Sequence, residues 1–441
     1  MRFGKRYIEQ NAKHPVMNKA IIAGLAAGVL VVGLVFSPLF NGSPLSAASA
    51  ANGTGVTRHV TLIASEKVVQ VAPDNALHPG GITYNAMVFN GTIPGPVVAV
   101  NQGDTVEFTL RNEGNVIHSI DFHAGVGPSN VLSGNVASGE EKTWTLHADN
   151  GGAWFYHCGA DGLNGVWEHI ANGMYGAIIV HPTKEKPAKE FYVVFGEIYN
   201  SEDGGPFVGD NSTDTAGSFD IGKFITNQPD LVLTNGMSHK YVPQVGETAK
   251  LPLNPPLLEE LNAGNLTNFF KVKPGELTRW YIVAAGPNDG VSFHFISGQI
   301  DVRDGSVRGT TGRQVTQEET WYVPVGSASV IESVFPEEGV YVGVDHNMAD
   351  VVKGGAFAVI ATEDATEDDH PPGTWVPGKA WLNENGSMSM EESPTGTVPE
   401  GTSGGNATST GPTSSTGQNT TSGDSSNNNN NTTTSSNSTT G

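Results

Sequence analysis

Val106-Glu107-Phe108-Thr109-Leu110 alternates apolar and polar residues one for one. That is the pattern of an extended strand with one face in a core and the other toward solvent. Ala177-Ile178-Ile179-Val180, Trp280-Tyr281-Ile282-Val283 and Ala356-Phe357-Ala358-Val359-Ile360 are short apolar runs broken off by glycine and proline, too short for ordinary helices. Turn chemistry separates such runs, as in Pro94-Gly95-Pro96, Asn101-Gln102-Gly103-Asp104 and Lys273-Pro274-Gly275-Glu276. Between about 57 and 362 this spacing predicts an all-β chain of sandwiches. Composition agrees: 56 glycines, 26 prolines and 37% hydrophobic residues exclude a helical bundle and a polytopic membrane protein. With 23 basic against 45 acidic residues the net charge is −22, which argues against nucleic acid as a partner. A single cysteine excludes an internal disulfide framework.

Two passes of one pattern are visible. In the first, Gly103-Asp104 leads into a strand, a histidine-bearing segment follows around His118, and after Gly139-Glu140 an aromatic strand runs into His157-Cys158. In the second, Pro274-Gly275-Glu276 leads to the strand of His294, and Glu338-Gly339-Val340-Tyr341 leads into Asp345-His346. An internal duplication accounts for this, with domains at 57–183 and 190–362 and a boundary around Pro187.

The two ends differ from this body. Arg2, Lys5, Arg6, Lys13 and Lys19 precede an uncharged run from Ala20 to Phe36, so residues 1–50 read as an export signal or an N-terminal membrane anchor. Either way the remainder faces outward, on the extracytoplasmic side of the cell membrane or in a periplasm-like space. Residues 367–441 read as a disordered tail, almost wholly Gly, Ser, Thr and Asn from Gly401 onward. Asn90, Asn211, Asn265, Asn406, Asn419, Asn431 and Asn437 stand in glycan-acceptor triplets.

Of 13 histidines, His118, His123, His157, His169, His294 and His346 lie beside the strand ends just described. Cys158, His169 and Met174 come from one loop, and His118 joins them from an earlier segment. Two imidazoles, a thiolate and a weak thioether are the ligand set of a type 1 copper. Neighbouring residues on an extended strand point to opposite faces, so if Cys158 grips one ion, His157 faces away from it. The same rule applied over residues 118–123 places His118 on one side and Asp121 with His123 on the other. Completed by one more imidazole, this second set would hold a type 2 copper, although three histidines suit zinc equally on ligand count. The covalent His157-Cys158 link favours a second redox metal. His59, His78, His147, His181, His239 and His370 read as ordinary surface or packing residues.

From Phe89-Asn90-Gly91-Thr92-Ile93-Pro94-Gly95-Pro96 to Val359-Ile360 the chain resembles the two-domain copper-containing nitrite reductases. The resemblance implies two tandem cupredoxin-like Greek-key β-sandwich domains with one type 1 and one type 2 copper per subunit. It makes His118, Cys158, His169 and Met174 the type 1 ligands and His123, His157 and His346 the type 2 ligands. It makes Asp121 and His294 the catalytic acid and histidine, with Ile296 over the open copper position. It further implies a homotrimer in which His346 comes from a neighbouring subunit, nitrite as substrate, and an external electron donor, a small blue copper protein or a cytochrome. Two departures stand out. The loop 159–168 is about two residues longer than the family pattern, with Glu168 where a tryptophan usually precedes the ligand, and residues 240–270 read as an insertion. A two-domain multicopper oxidase is the alternative enzyme, but its trinuclear cluster needs His-X-His pairs and none occurs. An electron-transfer copper protein without catalysis would leave Asp121, His123, His294 and His346 without a use.

Overall fold

In a computed structural model the described residues are 55–201, 216–242, 268–303 and 314–371, apart from 76, 161 and 368. The expected export segment, residues 243–267 of the insertion, Asn211, Asn265 and everything from 372 lie outside them. No helix among the described residues is long and apolar enough to cross a membrane.

The first half supplies β1 (Thr57–Ala72), β2 (Ile82–Phe89), β3 (Val97–Asn101), β4 (Thr105–Asn112), β5 (Asp121–Phe122), β6 (Glu141–His147), β7 (Gly152–His157) and β8 (Tyr175–His181). They form one sheet of order β2-β1-β4-β6 and another of order β3-β8-β7-β5. The alternation in β4 is realised, with Val106, Phe108 and Leu110 buried and Glu107 and Thr109 half-buried. Phe108 meets Phe122 of the other sheet with ring centroids 4.3 Å apart. Burying each such side chain stabilises the fold by about 1.5–3 kcal/mol.

The second half supplies β9 (Lys189–Ile198), the small pair β10 (Asn200–Ser201) and β11 (Ser218–Phe219), then β12 (Leu231–Thr234), β13 (Phe270–Val272) and β14 (Leu277–Gly286). After these come β15 (Val291–Phe295), β16 (Ile300–Arg303), β17 (Gln314–Glu318), β18 (Thr320–Val323), β19 (Ser327–Val334), β20 (Gly339–Asp345) and β21 (Ala356–Ala361). Their sheets run β12-β9-β14-β19-β16-β17 and β13-β21-β20-β15-β18. Trp280 lies at the centre, stacked on Phe191 at 4.4 Å and on Phe357 at 5.4 Å. Among the described residues only short helices interrupt the strands, among them α1 (Ser129–Leu132), α2 (Val166–Ala171), α3 (Ile221–Ile225) and α4 (Met348–Lys353).

The duplication is written in the pairing. Parallel β1/β4 repeats as β9/β14, parallel β3/β8 as β13/β21, and antiparallel β5-β7-β8 as β15-β20-β21. The first core continues into the second sandwich through Tyr192, Val194, Tyr281, Val283 and Val330. At the joint, buried Arg279 reaches Glu332 at 2.7 Å, Glu190 at 2.8 Å and Glu185 at 3.3 Å. His181, expected to be an ordinary residue, joins this cluster through Glu185 at 3.2 Å. Asn90 turns the chain with a left-handed φ of 55°, and its Oδ1 accepts the Ile63 N–H at 2.7 Å, which commits this expected glycan acceptor to the fold.

Candidate metal centres

The type 1 candidates are laced together by backbone. The Cys158 N–H donates to the Met174 carbonyl at 3.0 Å, and the Met174 N–H donates to the His169 carbonyl at 3.0 Å. This loop turns at Gly173, whose φ of +101° and close approach to Ile93 leave no room for a Cβ. His169, on α2, brings Nδ1 to 3.2 Å from Cys158 Sγ, and His118 brings Nδ1 to 3.9 Å. His118 is delivered by a loop that buried Asn112 organises. The Asn112 amide donates to the Val116 and Val136 carbonyls at 2.8 and 2.9 Å and accepts the Gly114 N–H at 2.9 Å. His118, Cys158, His169 and Met174 are all buried. Burial pushes the Cys158 thiol up to about 12, against the Ala160 and Ser119 N–H groups that favour its thiolate. Burial, with His118 alongside, holds His169 down to about 4. Two buried imidazoles and a desolvated thiol, whose proton a soft cation would displace, fit copper.

The second cluster follows from register. Asp121 and His157 are cross-strand partners, so they share a face. The His157 Nδ1–H donates to the Cys158 carbonyl at 2.9 Å, which leaves Nε2 as an acceptor. That nitrogen stands 3.1 Å from His123 Nε2 and 3.6 Å from Asp121 Oδ2. Burial lowers the pKa of both histidines, keeping them in the metal-binding form. Residues 118–123 are not one strand, since only Asp121–Phe122 pairs as such and His118 forms an isolated bridge with Val136. The division still holds, because that bridge keeps His118 beside Cys158.

His294, Ile296 and His346 gather elsewhere, on the second sandwich. The His294 Nδ1–H donates to the Glu319 carbonyl at 2.5 Å, and the His294 and His346 rings lie 5.3 Å apart. With Val342, Val344 and Met348 they line an apolar cavity of about 250 Å³. Within one chain the structure does not bring them to Asp121, His123 and His157, whose cluster holds no third imidazole among the described residues. His239, also expected to be ordinary, lines the same cavity and meets His78 at 3.2 Å. A third cluster of His181, Glu185 and Glu190 resembles a metal site in composition, but the Arg279 guanidinium already neutralises it.

Glu66 escaped the sequence reading. Its Oε1 accepts from His118 Nε2 at 2.8 Å. A signal existed, because Val60, Leu62 and Ala64 set the inward face of β1 and the same period places a carboxylate inward at 66.

Residues 70–185 match the family described as multicopper oxidase. A copper-containing nitrite reductase of Neisseria meningitidis is 31% identical over 291 residues, covering 65% of this chain and 66% of that protein. The chain thus spans just under two thirds of that relative's length. The solved copper nitrite reductase from Nitrosomonas europaea is 32% identical, with a TM-score of 0.58, over 71% of this chain and 96% of that one. A multicopper oxidase structure, 21% identical with a TM-score of 0.51 over 69% of this chain and 89% of its own, shares the tandem cupredoxin-like fold alone.

Proposed function

The chain belongs to the copper-containing nitrite reductase family, and on that premise we propose that it reduces nitrite by one electron to nitric oxide. His118, Cys158, His169 and Met174 would hold a type 1 copper, and His123, His157 and His346 a type 2 copper, one of each per subunit. The observation that carries this reading is the opposed facing of adjacent side chains: Cys158 joins one donor cluster and His157 the other. Copper at these positions would supply a one-electron relay and an electrophilic seat for an anion.

For each nitrite, one electron and two protons enter, one N–O bond breaks, and nitric oxide and water leave. The chain's own task is therefore to place the anion and deliver protons. Asp121 is half exposed beside His157 and can pass a proton from solvent to a nitrite oxygen. His294, anchored through Nδ1 by the Glu319 carbonyl, supplies the second proton from its other nitrogen. Ile296 gives the cavity an apolar wall that limits what can stand beside them. Completing the three-histidine set takes His346 of a second copy, which supports the homotrimer. An external donor, a small blue copper protein or a cytochrome, would serve the type 1 side of a protein exported by its N-terminal segment.

Asp121→Asn tests the assignment, because the amide keeps the shape and loses the proton. Both copper signals in electron paramagnetic resonance should remain in equal amounts, while nitrite turnover falls about 10²–10⁴-fold. Full activity in this variant would remove the proton role, and a single copper signal in the wild type would favour an electron carrier.

A further inference from the structure

We propose that Glu66 is a positioning residue for the type 1 centre, fixing the tautomer and ring orientation of His118; this rests on the copper reading above. The Glu66 side chain is almost fully buried, at 7% exposure, and its partner His118 is wholly so. Its Oε1 stands 2.8 Å from His118 Nε2, while its Oε2 accepts the Asn115 N–H at 2.8 Å. A carboxylate can only accept, so the shared proton belongs on Nε2 and the His118 Nδ1 lone pair is left free toward Cys158. A buried imidazole without this partner could take either tautomer, and one of the two puts a proton where the ion must bind. Carboxylates behind metal-ligating histidines also raise ligand basicity and hold the ring.

The second half supplies an internal control. Glu197 accepts the Asn288 and Asp289 N–H groups at 2.9 and 3.1 Å, just as Glu66 accepts those of Asn115 and Val116 at 2.8 and 3.4 Å. Both glutamates hold equivalent loops, the ones that follow β4 and β14. Where the first loop ends at His118, the second reaches Val291, and the remaining capacity of Glu197 goes to the Tyr199 hydroxyl at 2.7 Å. Loop support is therefore common to both halves, and the contact to an imidazole belongs to the first alone. Glutamine cannot replace Glu66 cleanly. It has one acceptor oxygen where the two of Glu66 serve three donors, so it must turn its NH₂ either to the Asn115 N–H or to the side of His118 Nε2 and the Val116 N–H.

The experiment uses the full chain as wild type, Glu66→Gln, Glu66→Ala and Glu197→Gln, loaded with copper. Type 1 retention against a chelator is followed by the visible thiolate–copper absorption, the potential by redox titration, and the type 2 signal serves as internal reference. Glu66→Ala should lose about 10–100-fold in type 1 affinity with the type 2 signal unchanged. Glu66→Gln should lose about tenfold, mostly from the oxidised ion because a negative charge is gone, which raises the potential by about 59 mV for a one-electron couple. Glu197→Gln should leave both quantities at wild-type values. In the metal-free chain, ¹⁵N NMR should find the His118 proton on Nε2. Wild-type affinity and potential in Glu66→Gln would overturn the proposal even if the alanine variant fails to fold. Equal shifts in the Glu66 and Glu197 variants would reduce Glu66 to loop support and overturn it too. A wild type lacking the visible absorption would take down the copper reading and this inference with it.

Discussion

Arg279→Met removes the one guanidinium that three carboxylates share at the joint of the two sandwiches. Arg279 is 1% exposed, and besides Glu185, Glu190 and Glu332 it donates to the Lys186 carbonyl at 2.8 Å. Methionine replaces its aliphatic stem but not its guanidinium or its charge. Glu332 keeps Arg303 at 2.8 Å, Glu190 keeps the Tyr281 hydroxyl at 3.0 Å, and Glu185 keeps His181 at 3.2 Å. Breaking a buried pair from one side costs about 3–5 kcal/mol. For a folded unit of about 300 residues the unfolding entropy is about 0.6 kcal/mol/K, so the midpoint should fall by about 5–8 °C. The loss should depend on pH with a definite sign. Burial disfavours the His181 cation, but the Glu185 hydrogen bond and the Glu190 and Glu185 charges outweigh it, and the pKa lies above the ordinary 6.5. A cation stabilised by the fold contributes fully below 6.5 and is lost as pH rises through the folded value. Without Arg279, whose charge opposes His181, the imidazolium persists to higher pH and compensates part of the missing charge. Calorimetric scans at pH 6 and pH 9 should therefore show the smaller loss at pH 6. A loss under about 1 kcal/mol at both, or one that is larger at pH 6, would refute the account of the cluster.

Two further outcomes can be checked on the metal-free protein. Cys158, buried and with its thiol pushed up to about 12, should react with iodoacetamide at pH 8 at least about 10³-fold more slowly than free cysteine, and alkylation at the free rate would contradict this burial. Asp350→Asn should stabilise the fold, because burial and the neighbouring Asp345 raise the Asp350 pKa from 3.8 to about 6. The unfolded chain releases that proton first, so the gain should grow between about pH 4 and 6 to roughly 2–3 kcal/mol and then stay level. Urea titrations showing a gain that shrinks over that interval would reverse the sign.

Most of the fold was legible because β4, β8, β14 and β21 carry their burial pattern in the order of their residues. The type 1 set was legible for a different reason: Cys158, His169 and Met174 share one loop, and only His118 comes from a distance. What was not legible depends on contacts between remote segments. The Glu66–His118 pair joins positions 52 residues apart, and its only local trace is a charge at an inward position. His181 sits in a charged cluster because the connector folds Glu185 back over Arg279, which no short window of sequence displays. The strand expected over 118–123 failed because Asn112 captures the preceding loop and bends the chain before Asp121.

Register also corrects the alignment of the two halves by one residue. Reading order alone sets Asp345-His346 against His157-Cys158. In the sheets, the Cys158 N–H donates to the Met174 carbonyl and the Met174 N–H to the His169 carbonyl, while the Asp345 N–H donates to the Gly355 carbonyl and the Gly355 N–H to the Asp350 carbonyl. Asp345 therefore stands at the place of Cys158, Asp350 at that of His169 and Gly355 at that of Met174. The Ser119 N–H donates to Cys158 Sγ at 3.2 Å, and the Ser292 N–H donates to Asp345 Oδ1 at 2.9 Å. At the equivalent positions the second half carries Val291, Asp345, Asp350 and Gly355, with no soft donor among them and two hard carboxylates that repel one another, so a type 1 ion has no seat there. By the same register Val344 takes the place of His157, and its cross-strand partner His294 takes the place of Asp121. The two residues proposed to handle protons are thus one strand position used twice, and the proposed association of copies is what would bring the two versions to one site.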